Sequence, residues 1–354
     1  MTMWAFQLQP APQELLSGYL TRVAHAHGST AGAFCRLHLG DSWYWTRDVD
    51  RGVAVAGHRR LSELAGLSMN DIEALTLCNW IEALTPASYR SRGPTAVTPW
   101  INAVGLAQAR RRHGGLSYCP DCLAEQAVVP KAWRLAFHVR CEIHRRVLLD
   151  GCGRCGALFV PHLSRRSVAH CWSCGYLLTS CQSRSSCLVV EGGVAAQVQR
   201  LMGDLLTRSC AGDEAARHRS HALRVLVSVQ WAGNAAAAAQ AGANRVGSGR
   251  LELLPVAERT LVVGWLQSLL ADWPQSFRKL AADGGHTQRT FARSGVQDAW
   301  LLDEIGRLPP GQRRNVTRRL DAVQRTLRMP LRHDVGNWRA QRARVLMQRA
   351  IYGH

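Results

Sequence analysis

Apolar positions in the first hundred residues recur at helical intervals, broken by proline and glycine. Leu15, Leu16, Tyr19, Leu20 and Val23 share one face of a helix that Pro10 and Pro12 delay and Gly28 ends. Ser29 or Thr30 caps a second helix carrying Phe34, Leu37 and Leu39, and Trp43, Tyr44 and Trp45 follow the Gly40-Asp41 break as anchors of a small domain. The run Leu61-Ser62-Glu63-Leu64-Ala65-Gly66-Leu67-Ser68 reads as a short helix, a glycine turn and an N-cap. Asn70 to Leu77 forms the helix that follows. Alanine before the turn glycine and an apolar residue after it is the packing pattern of a helix-turn-helix. Residues 91–99, rich in Arg, Gly, Pro, Thr and Ser, read as a linker. Helical periodicity also marks 194–206, 223–231, 256–273 and 296–308, and Pro274 opens a further helix at its first turn. The fold class expected is mainly α with small zinc-ribbon elements. A helical head with a helix-turn-helix spans 1–115, a tandem zinc-finger region spans 116–187, and an all-helical, basic domain spans 188–354.

Composition narrows the class of partner. The chain has 354 residues and a net charge of +19, an excess that points to a polyanion, most often nucleic acid. No apolar run approaches the roughly 20 residues of a membrane span, and the N-terminus has neither a basic region nor a long apolar core. A cytoplasmic location, with association to the nucleoid during action, is the expectation. Arg110, Arg111 and Arg112 form one basic cluster. Arg313, Arg314, Arg318, Arg319, Arg325 and Arg328 lie along one C-terminal helix, and Arg339 and Arg342 along another. Few acids lie nearby, so these arginines are the candidate contacts to nucleic acid or to a partner. The helix-turn-helix differs. Its contact positions, Ser68, Asn70, Asp71 and Glu73, include two carboxylates and no Lys or Arg. Phosphates would be repelled there, which favours a protein-binding or structural role over DNA reading.

The chemistry is concentrated between Leu116 and Gly175. Of 12 cysteines, seven fall with one histidine into four tight pairs: Cys119 and Cys122, Cys141 and His144, Cys152 and Cys155, Cys171 and Cys174. Such knuckles each supply two ligands to a tetrahedral zinc ion. Pairing by chain order gives one site from Cys119, Cys122, Cys141 and His144 and another from Cys152, Cys155, Cys171 and Cys174; interleaved pairing is the alternative. Two structural Zn2+ ions are the expected cofactors, with iron the alternative at the all-cysteine site. Each site has its full complement of protein ligands, so no coordination position remains for water or substrate. No metalloprotease or deaminase signature, Walker lysine or nucleophile elbow accompanies them. No catalytic residue is expected, and a zinc-containing nucleic-acid enzyme is the least favoured reading. Cys35, Cys78, Cys181, Cys187 and Cys210 read as ordinary thiols.

The order of these motifs resembles one family. Tyr118-Cys119-Pro120-Asp121-Cys122-Leu123-Ala124-Glu125, then Trp133-Arg134-Leu135, then Cys141 with His144, then Leu148 with Cys152, Cys155 and Gly156, is similar to the TniQ/TnsD family of transposon target-selection proteins. The segment from Pro10 to Arg22 resembles that family's first helix, and Leu61 to Ser68 its helix-turn-helix. The resemblance covers roughly residues 8–180; Gly153, where the family often has proline after the cysteine, is a mild departure.

The resemblance implies a non-catalytic adaptor. It links a target-recognition complex to the AAA+ ATPase TnsC and so to the transposase. In CRISPR-associated branches a homodimer sits on the guide-RNA complex Cascade; in TnsD-like branches the protein itself reads a DNA site. Chain length and the acidic second helix favour the first branch over the second. If the dimer is head to tail, the acidic face of one copy meets the basic C-terminal region of the other.

Overall fold

The computed structural model describes residues 3–40, 44–52, 55–85, 98–104, 116–180, 194–240, 250–292 and 294–311. The chain divides into one unit over 1–309, which holds every helix described below 310, and a second over 310–354. The described residues are mainly helical. They contain isolated β-bridges and no sheet.

Helix α1 (Leu16–Ala26) and helix α2 (Ala31–Leu39) form the head. Thr30 caps α2, its hydroxyl accepting from the Ala33 amide at 3.3 Å. Both helices bury apolar faces in a cluster with Trp4, Tyr44, Val49, Leu61, Leu64, Ile72 and Leu75. Leu37, although periodic with Phe34, points to solvent at 78% exposure, because α2 buries Ala31, Phe34 and Cys35 instead.

The helix-turn-helix is α3 (Val55–Ala65) and α4 (Met69–Ala74), joined through Gly66 at φ 67°. A capping box starts α4: the Asp71 amide donates to the Ser68 hydroxyl, and the Ser68 amide donates to the Asp71 carboxylate. Sequence periodicity carries this helix to Leu77, but it ends at Ala74. Leu75 and Leu77 leave the helix as buried anchors, the Leu77 amide bonding to the Asp50 carbonyl at 2.6 Å, and a new helix, α5 (Cys78–Leu84), begins.

After the short helix α6 (Pro120–Glu125), the finger region is made of hairpins and 3-10 turns. Beyond it, α7 (Val194–Cys210) and α8 (Glu214–Gln240) pack together, and α7 also packs on α9 (Val256–Ala271) and α5. The periodic stretch at 223–231 is part of a much longer helix, started where the Asp213 carboxylate accepts from the Ala216 amide at 3.0 Å. The short helices α10 (Gln275–Asp283), α11 (Gln288–Phe291) and α12 (Ala299–Gly306) close this side.

A second, larger apolar cluster joins the finger region to α5 and to the helices that follow, with Leu15 and Leu77 reaching it from the head. It contains Leu15, Leu77, Trp100, Tyr118, Trp133, Phe137 and Phe159 together with Val198, Leu226, Leu266 and Leu301. The finger block is therefore built into the core of the molecule. Gly18 of α1 makes this possible on the head side: a Cβ there would lie 2.9 Å from Cβ of Val129.

Candidate metal centres

Three of the four knuckles are copies of one hairpin. Bridges join Arg140 to Val147, Gly151 to Leu158 and His170 to Leu177, each beginning one residue before a cysteine. In each, the cysteine amide bonds back across the turn at 2.8 Å: Cys141 to the Arg146 carbonyl, Cys152 to Ala157, Cys171 to Tyr176. The residue after the second ligand adopts a left-handed conformation in all three, with Gly156 at φ 71°, Gly175 at φ 69° and Arg145 at φ 52°. In the third knuckle it is Gly156, and not Gly153, that takes the left-handed conformation. The remaining knuckle is helical. Cys119 precedes α6 as its N-cap residue, and Pro120 opens the helix that carries Cys122.

The knuckles meet in chain order. Cys119, Cys122, Cys141 and His144 form one tetrad and Cys152, Cys155, Cys171 and Cys174 the other, with all ligand atoms of each within 4.8 Å of one another. In the first, Sγ of Cys122 lies 3.5 Å from Sγ of Cys141 and 3.3 Å from Nδ1 of His144. Nδ1 of His144 also lies 3.6 Å from the sulfurs of both Cys119 and Cys141. In the second, Cys152 and Cys174 are 3.8 Å apart and Cys155 and Cys171 3.7 Å. A tetrahedral zinc with metal–sulfur bonds of about 2.3 Å requires sulfur–sulfur edges of about 3.8 Å. The donor sets thus fit zinc in type, number and spacing.

Surrounding groups orient the ligands. His144 turns Nδ1 to the sulfurs and places Nε2 2.9 Å from Oε1 of Glu125, the carboxylate–histidine pairing that fixes a metal-binding tautomer. That hydrogen bond to Glu125 is also the main reason the imidazole pKa is raised. The thiols cannot all ionise side by side without a cation. Hydrogen bonding from Cys119 draws Cys141 down to about 4, while burial pushes Cys122 up to about 12. In the second tetrad the Ala157 amide helps to lower Cys155 to about 7, and burial raises Cys171 to about 12. With four ligands per site, the arrangement suits a structural ion and offers no open position for chemistry.

The tetrads are wired to both sides of the molecule. On the head side, Arg134, fully buried, donates to the Asp50 carboxylate at 2.9 Å and to Asp48 at 3.0 Å, and Asp50 accepts from both the amide and hydroxyl of Ser17 at 2.8 and 2.9 Å. On the other side, Gln199 of α7, 3% exposed, accepts from the amides of Val139 and Arg140 and donates to the Arg140 carbonyl and to Glu142. The Val256 amide, at the start of α9, donates to Asp150 at 2.8 Å, and buried Arg259 donates to the carbonyls of Leu135 and Ala136. Trp133-Arg134 stands out in the sequence, but the partners Asp48 and Asp50 give no local signal, and neither does Gln199.

Of the other expected contact residues, Ser68, Asn70, Asp71 and Glu73 are all exposed on α4, and its capping box ties up Ser68 and Asp71. Arg110, Arg111 and Arg112 lie outside the described residues, as do Arg313, Arg314, Arg318, Arg319, Arg325, Arg328, Arg339 and Arg342, and the thiols Cys181 and Cys187. Cys35 is buried, Cys78 half-buried and Cys210 exposed, and none belongs to a tetrad. No helix among the described residues is long and apolar enough to cross a membrane.

A helical head carrying a helix-turn-helix, closed by a tetrad of three cysteines and a histidine and followed by an all-cysteine tetrad, defines a protein with two clusters suited to structural metal ions. Residues 5–148 match the TniQ family model, so over that span the chain is a TniQ domain, the domain of transposition target-selection proteins. The matched span takes in α1 to α6 and the whole first tetrad, and it ends before Cys152. No curated protein matches the chain.

Proposed function

We propose that this protein is a non-catalytic targeting adaptor for DNA transposition, linking a target-recognition complex to the TnsC ATPase and the transposase. Two structural Zn2+ ions are held by Cys119, Cys122, Cys141 and His144 and by Cys152, Cys155, Cys171 and Cys174. They fix the finger block as a rigid joint between the head and the helices that follow. One observation carries the adaptor reading: within a TniQ domain, the helix-turn-helix exposes Asp71 and Glu73 on α4, a helix with no Lys or Arg. Such a face suits a basic protein surface better than a phosphate backbone. A guide-RNA complex of the Cascade type is the recognition partner in this reading, and the adaptor acts as a homodimer. A TnsD-like reader of duplex sequence is the second reading, favoured by the net charge of +19.

The test is a reconstituted insertion reaction with donor DNA, guide complex, TnsC and transposase. Omitting the protein should abolish insertion at the guided site, and the protein alone should neither cut nor join DNA. Guided insertion in its absence would refute the adaptor role.

A further inference from the structure

A cleft of about 480 Å³ lies between the Cys141–His144 knuckle and α7. Arg140, Arg145 and Arg200 line it, with Glu142 as its only carboxylate. Glu142 already accepts a hydrogen bond from Gln199 at 3.0 Å. The Arg140 Nε donates to the Arg145 carbonyl at 2.8 Å, which fixes one wall. Arg145 and Arg200 are exposed, and among the described residues no hydrogen bond or ion pair engages either guanidinium. The cleft is therefore a concave, built surface with an excess of positive charge.

Arg145 also occupies a position where the other two hairpin knuckles have glycine. All three need a left-handed residue immediately after the second ligand, and Gly156 and Gly175 provide it freely. A side chain there is strained relative to glycine. Backbone strain of this kind gathers where a side chain has a task beyond folding. The task fits the cleft into which this knuckle leads.

We propose that the cleft between the Cys141–His144 knuckle and α7 seats the phosphate backbone of a nucleic acid, without regard to sequence. Guanidinium groups suit phosphate oxygens, and a backbone contact needs donors rather than apolar pockets. Ala196 is the only aliphatic lining residue, so an acidic peptide would find little to anchor its side chains. The proposal rests on the folded first finger and on no particular recognition partner; it stands or falls separately from the adaptor reading.

The test uses the full-length, metal-loaded protein and labelled duplex of arbitrary sequence, with poly-glutamate as the competing polyanion. Arg145→Gly should leave metal content and melting temperature equal to or above those of the parent, because glycine suits the backbone there. Combined with Arg200→Gln, it should weaken duplex binding roughly tenfold at low salt. It should also reduce the slope of log affinity against log salt by about 1.8, the value for two lost phosphate contacts. Binding by other arginines sets a floor, and the change in slope isolates the cleft. An unchanged affinity and slope would overturn the proposal. The same arginine dependence with poly-glutamate and none with duplex would also overturn it, in favour of an acidic protein partner.

Discussion

Arg134 is the residue on which the head and the finger block depend together. It is fully buried, and its guanidinium answers both Asp48 and Asp50. Arg134→Met would leave the buried Asp50 carboxylate without its cation, at a cost of about 3–5 kcal/mol. Chemical denaturation should show that loss, and a change below about 1 kcal/mol would mean the pair is not holding the two parts. Gly18→Ala tests a second head-to-finger contact, with Val129, by volume. Its new methyl must displace Val129, and a cost of about 1–3 kcal/mol is expected. His138 contributes to the response to pH. Burial pushes its imidazole down to about 4, so between pH 6.5 and 4 the unfolded chain binds the extra proton. Stability from this group is intact above about pH 6.5, falls through that window by on the order of 2–3 kcal/mol, and levels below it. His138→Gln should flatten the difference in unfolding free energy between those pH values.

At the scale of elements, the knuckles follow from short-range pattern. The pairs of Cys or His three residues apart are legible from spacing in all four knuckles. In three of them a left-handed residue after the pair completes a local hairpin, so the eight tetrad residues and their chain-order grouping follow from short-range pattern. The partners of the wiring are not. Asp48 and Asp50 are 86 and 84 residues from Arg134, and Gln199 is 59 from Arg140, separations at which no periodicity carries information. Helix α5 was also illegible, since Cys78 to Leu84 is short and starts without a side-chain cap. Leu75 and Leu77 fit the helical period of α4, yet burial outside the helix won. Because each ion would add on the order of 10 kcal/mol of coupled folding energy, Cys119→Ser or Cys152→Ser should unfold the finger block. Metal analysis with circular dichroism checks this, and a folded, metal-free Cys152→Ser protein would refute a structural role. If the proposed homodimer forms head to tail, charge reversal at Asp71 and Glu73 should weaken it. Light scattering reads the outcome, and unchanged mass would remove α4 from the interface.

For the whole molecule, the apolar core around the fingers explains why the tetrads sit in the middle of the chain. Segments on both sides pack against the finger block, Leu15 and Leu77 on the head side and Val198, Leu226 and Leu266 on the other, so ions in the tetrads would hold those segments in place. A rigid joint of that kind suits a protein whose surfaces must meet two partners in a fixed relation, and it requires no catalytic group. The most direct measurement is co-purification of the full-length protein with guide-RNA-loaded Cascade, alongside footprinting on duplex DNA. Stoichiometric binding to the guide complex, with no unique footprint from the protein alone, is the predicted result. Failure to bind the complex, with protection of a single duplex site, would contradict it.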